Sequence, residues 1–260
     1  MAEMIRVDTD ARGVATLWLA RAEKHNALSA EMLMQLEDAA ERLAQDAQVR
    51  VVILAAEGPT FCAGGDLAWM RAQMGMDAAT RRAESGRIAS ALAALAALPQ
   101  PLIGRLQGNA FGGGVGLASV CDVVIGVETL KMGLTETRLG LIPANIGPYV
   151  IARMGAARAR QVFMSSRIFD ASEAVRLGLL TRAVAAEALE AATEAEVTPY
   201  LSCAPGAVAE AKALLRALGG TVTQDQVDLA IDALATRWES AEAQEGIAAF
   251  FDKRAPGWAG

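Results

Sequence analysis

The stretch from Gln107 to Asp122, Gln-Gly-Asn-Ala-Phe-Gly-Gly-Gly-Val-Gly-Leu-Ala-Ser-Val-Cys-Asp, constrains this chain more than any other. Apolar segments flank it, Pro101-Leu-Ile-Gly-Arg-Leu before and Val123-Val-Ile-Gly-Val after, and both read as strands. Between them Gly112, Gly113 and Gly114 open a predicted helix over Val115 to Val120. Glycines at such a junction let the backbone approach a ligand with no Cβ in the way. The first amides of a helix have no acceptor within it, and the macrodipole adds positive charge at that end. The stretch reads as a seat for negative charge or as a tight strand-to-helix turn without a ligand. Nucleotide motifs fail on the residues. A dinucleotide fingerprint begun at Gly112 needs glycine where Leu117 stands, and no Lys-Ser or Lys-Thr pair follows to make a P-loop.

A second stretch, Thr60-Phe-Cys-Ala-Gly-Gly-Asp-Leu67, also follows an apolar strand, Val51-Val-Ile-Leu-Ala-Ala, and also opens a helix, near Asp66. Two glycine turns at two helix starts are suited to aim two N–H groups at one point. That is an oxyanion hole, which stabilises charge developing on a thioester or ester oxygen.

Taken in order, these motifs resemble the crotonase superfamily, the enoyl-CoA hydratase/isomerase family. The resemblance covers nearly the whole chain: Arg21-Ala-Glu-Lys-His-Asn-Ala-Leu, Phe61-Cys-Ala-Gly-Gly-Asp, the triple-glycine stretch, Met132-Gly-Leu-Thr-Glu-Thr-Arg-Leu-Gly-Leu-Ile-Pro and Glu245-Gly-Ile-Ala-Ala-Phe-Phe-Asp-Lys-Arg. It implies an α/β crotonase (ClpP/crotonase-type) fold, a spiral of ββα turns over residues 1–199. A helical oligomerisation region over residues 200–260 would form a homotrimer or homohexamer.

The resemblance also implies roles. The amides of Gly65 and Gly113 would hold the thioester oxygen. Glu136 matches the acid of the Gly-Leu-Thr-Glu motif. Hydratases of the family carry a second glutamate three residues after the middle glycine, and Gly116 stands there instead. That departure puts two-glutamate hydration in doubt and predicts empty room beside the acyl chain. Arg21 and Lys24 would meet coenzyme A. Ala63, Asp66 and Leu67 would contact the substrate beside the first turn, and Trp69, Met70 and Met74 could line its acyl end. Phe250 would lie near the adenine and Lys253 near a phosphate. The motif set is most similar to the methylglutaconyl-CoA hydratase-like branch. The implied reaction is hydration of a branched 2-enoyl-CoA, with an enoyl-CoA isomerase or a non-catalytic acyl-CoA binder as alternatives. No separate cofactor is implied, because coenzyme A is part of the substrate.

Composition sets the remaining bounds. At 53% hydrophobic but only 5% aromatic, the core of this 260-residue chain must be built of Ala, Val, Leu and Ile. A formal net charge of −6 argues against nucleic acid as a partner. Cys62, Cys121 and Cys203 have no metal-ligand spacing and read as reduced thiols. The single histidine, His25, leaves no His-based zinc site or catalytic triad and reads as a loop residue. No signal segment or membrane span is visible, so a cytoplasmic protein is expected. Asp170-Ala-Ser-Glu173 and Thr223-x-x-Gln226 read as capping boxes. From about Glu187 strand signals vanish, and helical patterns run over Leu189 to Val197, Pro205 to Leu218 and Val222 to Phe251.

Overall fold

The structure, a computed structural model, describes residues 3–219 and 222–258. The hairpin β1 (Ile5–Thr9) and β2 (Val14–Leu19) turns at Asp10, whose carboxylate accepts from the Arg12 and Val14 amides. Ser29 caps α1 (Ala30–Gln45) by accepting from the Met32 amide, and Leu33, Leu36, Ala40 and Leu43 form its buried face. β3 (Val51–Ala56) is buried at every position, as a parallel strand covered on both faces requires. After α2 (Leu67–Met74) and α3 (Ala78–Ala97) come β4 (Leu102–Leu106), β5 (Ala110–Phe111), α4 (Gly113–Val120) and β6 (Val123–Val127). Pro99 and Pro101 stand just past the end of α3, where a helix cannot continue. β7 (Lys131–Gly133), α5 (Gly147–Met154), α6 (Ala156–Ala159), β8 (Ile168–Asp170), α7 (Ala171–Leu177) and β9 (Arg182–Val184) follow. Helices α8 (Leu189–Leu201), α9 (Pro205–Gly219), α10 (Gln224–Trp238) and α11 (Ala241–Phe251) close the chain.

Six strands form one sheet in the order β1-β2-β3-β4-β6-β9, parallel except for the β1–β2 hairpin. A second sheet, β5-β7-β8, pairs β5 with β7 in parallel and β7 with β8 antiparallel. Both glycine turns leave strands of this scaffold, so rigid parallel pairing fixes where their amides point.

Two expectations are corrected. The helical run over Val222 to Phe251 is two helices, α10 and α11. The chain breaks at Glu239, and Ser240 caps α11 through the Ala243 amide. The box at Asp170 is half made: Asp170 accepts from the Glu173 amide, but the Glu173 carboxylate pairs with Arg167 and Arg176 instead. The boundary placed after residue 199 falls inside α8, which runs through Pro199 to Leu201. The Thr223–Gln226 box has both its hydrogen bonds.

Candidate active site

Asn26 organises the first turn. It is fully buried with φ +53°, and its Nδ2 donates to the carbonyls of Glu57 (2.9 Å) and Thr60 (2.8 Å). Its Oδ1 accepts from the Arg21 amide at 2.9 Å. Loop 21–28 is thereby tied to the loop after β3. The Leu28 amide donates to the Gly64 carbonyl (2.8 Å), and the Asp66 amide donates to the Leu28 carbonyl (2.9 Å). Gly65 sits between those two bonds. Its own N–H has no acceptor among the described residues, and a Cβ there would meet nothing within 4 Å.

The second turn lies against the first. The Phe111 amide donates to the Cys62 carbonyl at 2.9 Å, and a Cβ on Gly64 would stand 3.1 Å from the Phe111 carbonyl oxygen. Gly112 has φ +47° and ψ −114°, a backbone region that only glycine adopts freely, and its amide donates to Gly133 at 3.0 Å. This twist turns the chain into α4 with the Gly113 amide first. That N–H has no acceptor among the described residues. Both free amides border one cavity of about 250 Å³.

Glu136 faces the same cavity from a 3-10 turn after β7. Its Oε1 lies 3.0 Å from where a Gly112 Cβ would be, so a side chain at 112 would displace the carboxyl. Its Oε2 is shielded from solvent and has no hydrogen-bond partner. Burial pushes the Glu136 carboxyl up to about 7, against a smaller downward pull from its own backbone amide. A carboxyl poised near neutrality can both take and return a proton.

Apolar side chains enclose the rest: Trp69 and Met70 of α2, Ile142, Ile146, and Leu234 and Trp238 of α10. The roof is this chain's own C-terminal region. Arg81 of α3 fastens it by pairing with Glu239 and lying 5.6 Å from the centre of the Trp238 ring.

A family model described as "Enoyl-CoA hydratase/isomerase" matches residues 9–260. The chain belongs to the enoyl-CoA hydratase/isomerase family. Among relatives of this hydratase/isomerase chain, the mitochondrial methylglutaconyl-CoA hydratase of Mus musculus is 33% identical over 271 positions, covering 98% of this chain and 82% of that protein. A crystal structure of an enoyl-CoA hydratase from Mycobacterium avium superposes with a TM-score of 0.88 at 30% identity, covering 99% of this chain and 100% of the other. One from Shewanella pealeana has a TM-score of 0.80 at 36% identity, covering 98% and 96%. These matches carry the crotonase fold with its helical C-terminal region.

Of the residues picked out by the family resemblance, Gly65, Gly113, Glu136, Ala63, Asp66, Leu67 and Phe250 border the cavity. Arg21 is turned towards the first glycine turn. Its guanidinium donates to the Asp66 carboxylate (2.7 Å) and the Ala27 carbonyl (2.9 Å). Asp66 is likewise engaged, capping α2 through the Ala68 and Trp69 amides. Lys24 and Lys253 are exposed and do not border the cavity. Phe250, at 43% exposed, flanks the cavity from α11. Trp69 and Met70 line it, whereas Met74 packs beside them in the apolar cluster under α10.

Gly116 leaves no room. A Cβ there would stand 2.5 Å from Cγ2 of Ile146 and 3.3 Å from Cδ1 of Leu92. Ile146 has filled the space expected to lie empty, so the wall there is apolar. Sequence reasoning missed Ile146, Asn26, Arg81, Leu234 and Trp238. Only Asn26 carried a signal, as a turn-forming residue within the Arg21–Leu28 motif.

Proposed function

We propose that this chain hydrates a 2-enoyl-CoA thioester. The observation that carries the reading is the convergence of two unpartnered amides, Gly65 and Gly113, and one poised carboxyl, Glu136, on a single apolar cavity. The thioester oxygen accepts from both amides and takes on negative charge as C3 is attacked, so the donors grip the transition state more tightly than the substrate. Glu136, as carboxylate, accepts a proton from water while the hydroxyl bonds to C3. The protonated Glu136 then delivers that proton to C2 of the enolate. Hydroxyl and proton are both accounted for, and the carboxylate is restored.

The acyl chain in this reading is short and branched, of the 3-methylglutaconyl kind. The methylglutaconyl-CoA hydratase name of the mouse relative supports it. A second reading is favoured by Ile146 at the place of a second acid: one carboxyl suffices for an isomerase that shuttles a proton between carbons. Incubation of 2- and 3-enoyl-CoA thioesters in H₂¹⁸O, followed by mass spectrometry, separates the two. Hydration adds one labelled oxygen, isomerisation adds none, and a binder without activity leaves both substrates intact. Gly113→Pro removes one donor and is expected to lower the rate on the order of 10²–10³-fold. A folded Gly113→Pro protein with near-normal turnover would exclude that amide.

A further inference from the structure

Besides Asp66, Thr135 and Glu136, the largely apolar cavity wall carries three polar side chains that the proposed chemistry does not use. Gln73 of α2 is 6% exposed, Ser85 of α3 is 2% exposed and Asn145, just before α5, is 8% exposed. All three border the cavity. None of the three side chains makes a hydrogen bond to another described residue, and the Asn145 Oδ1 is shielded from solvent as well. A shielded polar atom left unpartnered costs about 1–3 kcal/mol, which applies here to the Asn145 Oδ1. The three come from three separate elements and border one cavity, and two amide nitrogens and a hydroxyl among them can donate to a ligand's oxygen.

Gln73 stands away from the reacting end. Gln73 is seven residues after Asp66 along α2, which at helical rise puts it roughly 10 Å beyond the Gly65 turn. No lysine or arginine is among the residues bordering the cavity. Arg81 donates to the Gln73 carbonyl at 2.9 Å from behind the wall and is paired with Glu239, and Arg21 is paired with Asp66.

On the reading that the cavity takes an acyl-CoA, we infer that Gln73, Ser85 and Asn145 form a subsite for an oxygen-bearing group at the far end of the acyl chain. The recognised chemistry is an oxygen that accepts from Gln73 Nε2, Asn145 Nδ2 or Ser85 Oγ, as a carboxylate or a hydroxyl does; a hydroxyl can in addition donate to the Asn145 Oδ1. A plain alkyl end would leave the three side chains without partners and is disfavoured.

The test compares three thioesters with the same branch: 3-methylglutaconyl-CoA, 5-hydroxy-3-methylpent-2-enoyl-CoA and 3-methylcrotonyl-CoA. The oxygen-bearing chains are expected to exceed the alkyl chain in kcat/KM by about tenfold or more, the equivalent of one or two net hydrogen bonds. The carboxylate and hydroxyl arms show which oxygen the subsite prefers. Ser85→Ala and Asn145→Leu should each pull that ratio towards one. A ratio near one in the unmodified protein, or one that neither variant changes, overturns the inference. Calorimetric binding of the saturated thioesters 3-methylglutaryl-CoA and isovaleryl-CoA reads the same ratio without turnover. Absence of hydration with a retained binding ratio therefore overturns the proposed reaction and leaves the subsite standing. Equal binding of the two saturated thioesters overturns the subsite.

Discussion

At the scale of single residues, Glu136 links chemistry to stability. Its carboxyl moves from an ordinary 4.5 to about 7 on folding because it is buried without a partner for Oε2. A group whose pKa rises on folding holds its proton more tightly in the native state, so its effect is harmless below about pH 4.5. Between 4.5 and 7 the unfolded chain ionises first, and stability falls with rising pH by about 3 kcal/mol at most. Glu136→Gln should therefore unfold at higher denaturant than the unmodified protein at pH 8 and at nearly the same denaturant near pH 4.5. In activity the sign is opposite. Hydration kcat/KM should rise with pH through an apparent pKa near 7, and Glu136→Gln should lose on the order of 10²–10⁴ in rate. A flat profile would remove Glu136 as the base. At Gly116 the outcome is steric: Gly116→Glu drives a side chain into Ile146 and Leu92 and is expected to lower stability by about 1–3 kcal/mol in thermal unfolding. Combining it with Ile146→Gly should recover part of that loss.

At the scale of elements, the cavity depends on α10 more than on any strand. Trp238 is buried against α3 and the cavity, held there by Arg81, and Leu234 lies one turn before it. Trp238→Ala removes a large buried ring and should cost about 3–5 kcal/mol in stability. It should also open the acyl cavity to water, raising KM more than it lowers kcat. Equal KM values for variant and parent would mean that the roof plays no part in binding. The clamp at Asn26 acts earlier in the chain. Without its three hydrogen bonds, loop 21–28 would no longer hold the Gly65 turn in register with Gly113.

At the scale of the whole molecule, an apolar strip remains on α9, where Leu214, Leu215 and Leu218 are 59%, 73% and 78% exposed. Exposed apolar clusters in general go with interaction surfaces, and we propose a homotrimer or a dimer of trimers, which light scattering at micromolar concentration would read directly. Leu215→Glu with Leu218→Glu should shift the mass towards that of the monomer. The glycine turns, the strands before them and the acid in Gly-Leu-Thr-Glu were legible in the sequence, because local backbone demands and apolar runs leave direct marks on residue choice. Much of the site was not. That Arg21 would turn inward to Asp66, and that Ile146 would fill the place left open at Gly116, are matters of which side chains meet across distant segments. Nor does any local pattern announce that Gln73, Ser85 and Asn145, from three separate elements, end unpartnered on one wall. Sequence by itself determined the chain's turns and the places of Gly65, Gly113 and Glu136 in them; only tertiary packing decided which polar groups were consumed in holding the fold and which were left to face the cavity.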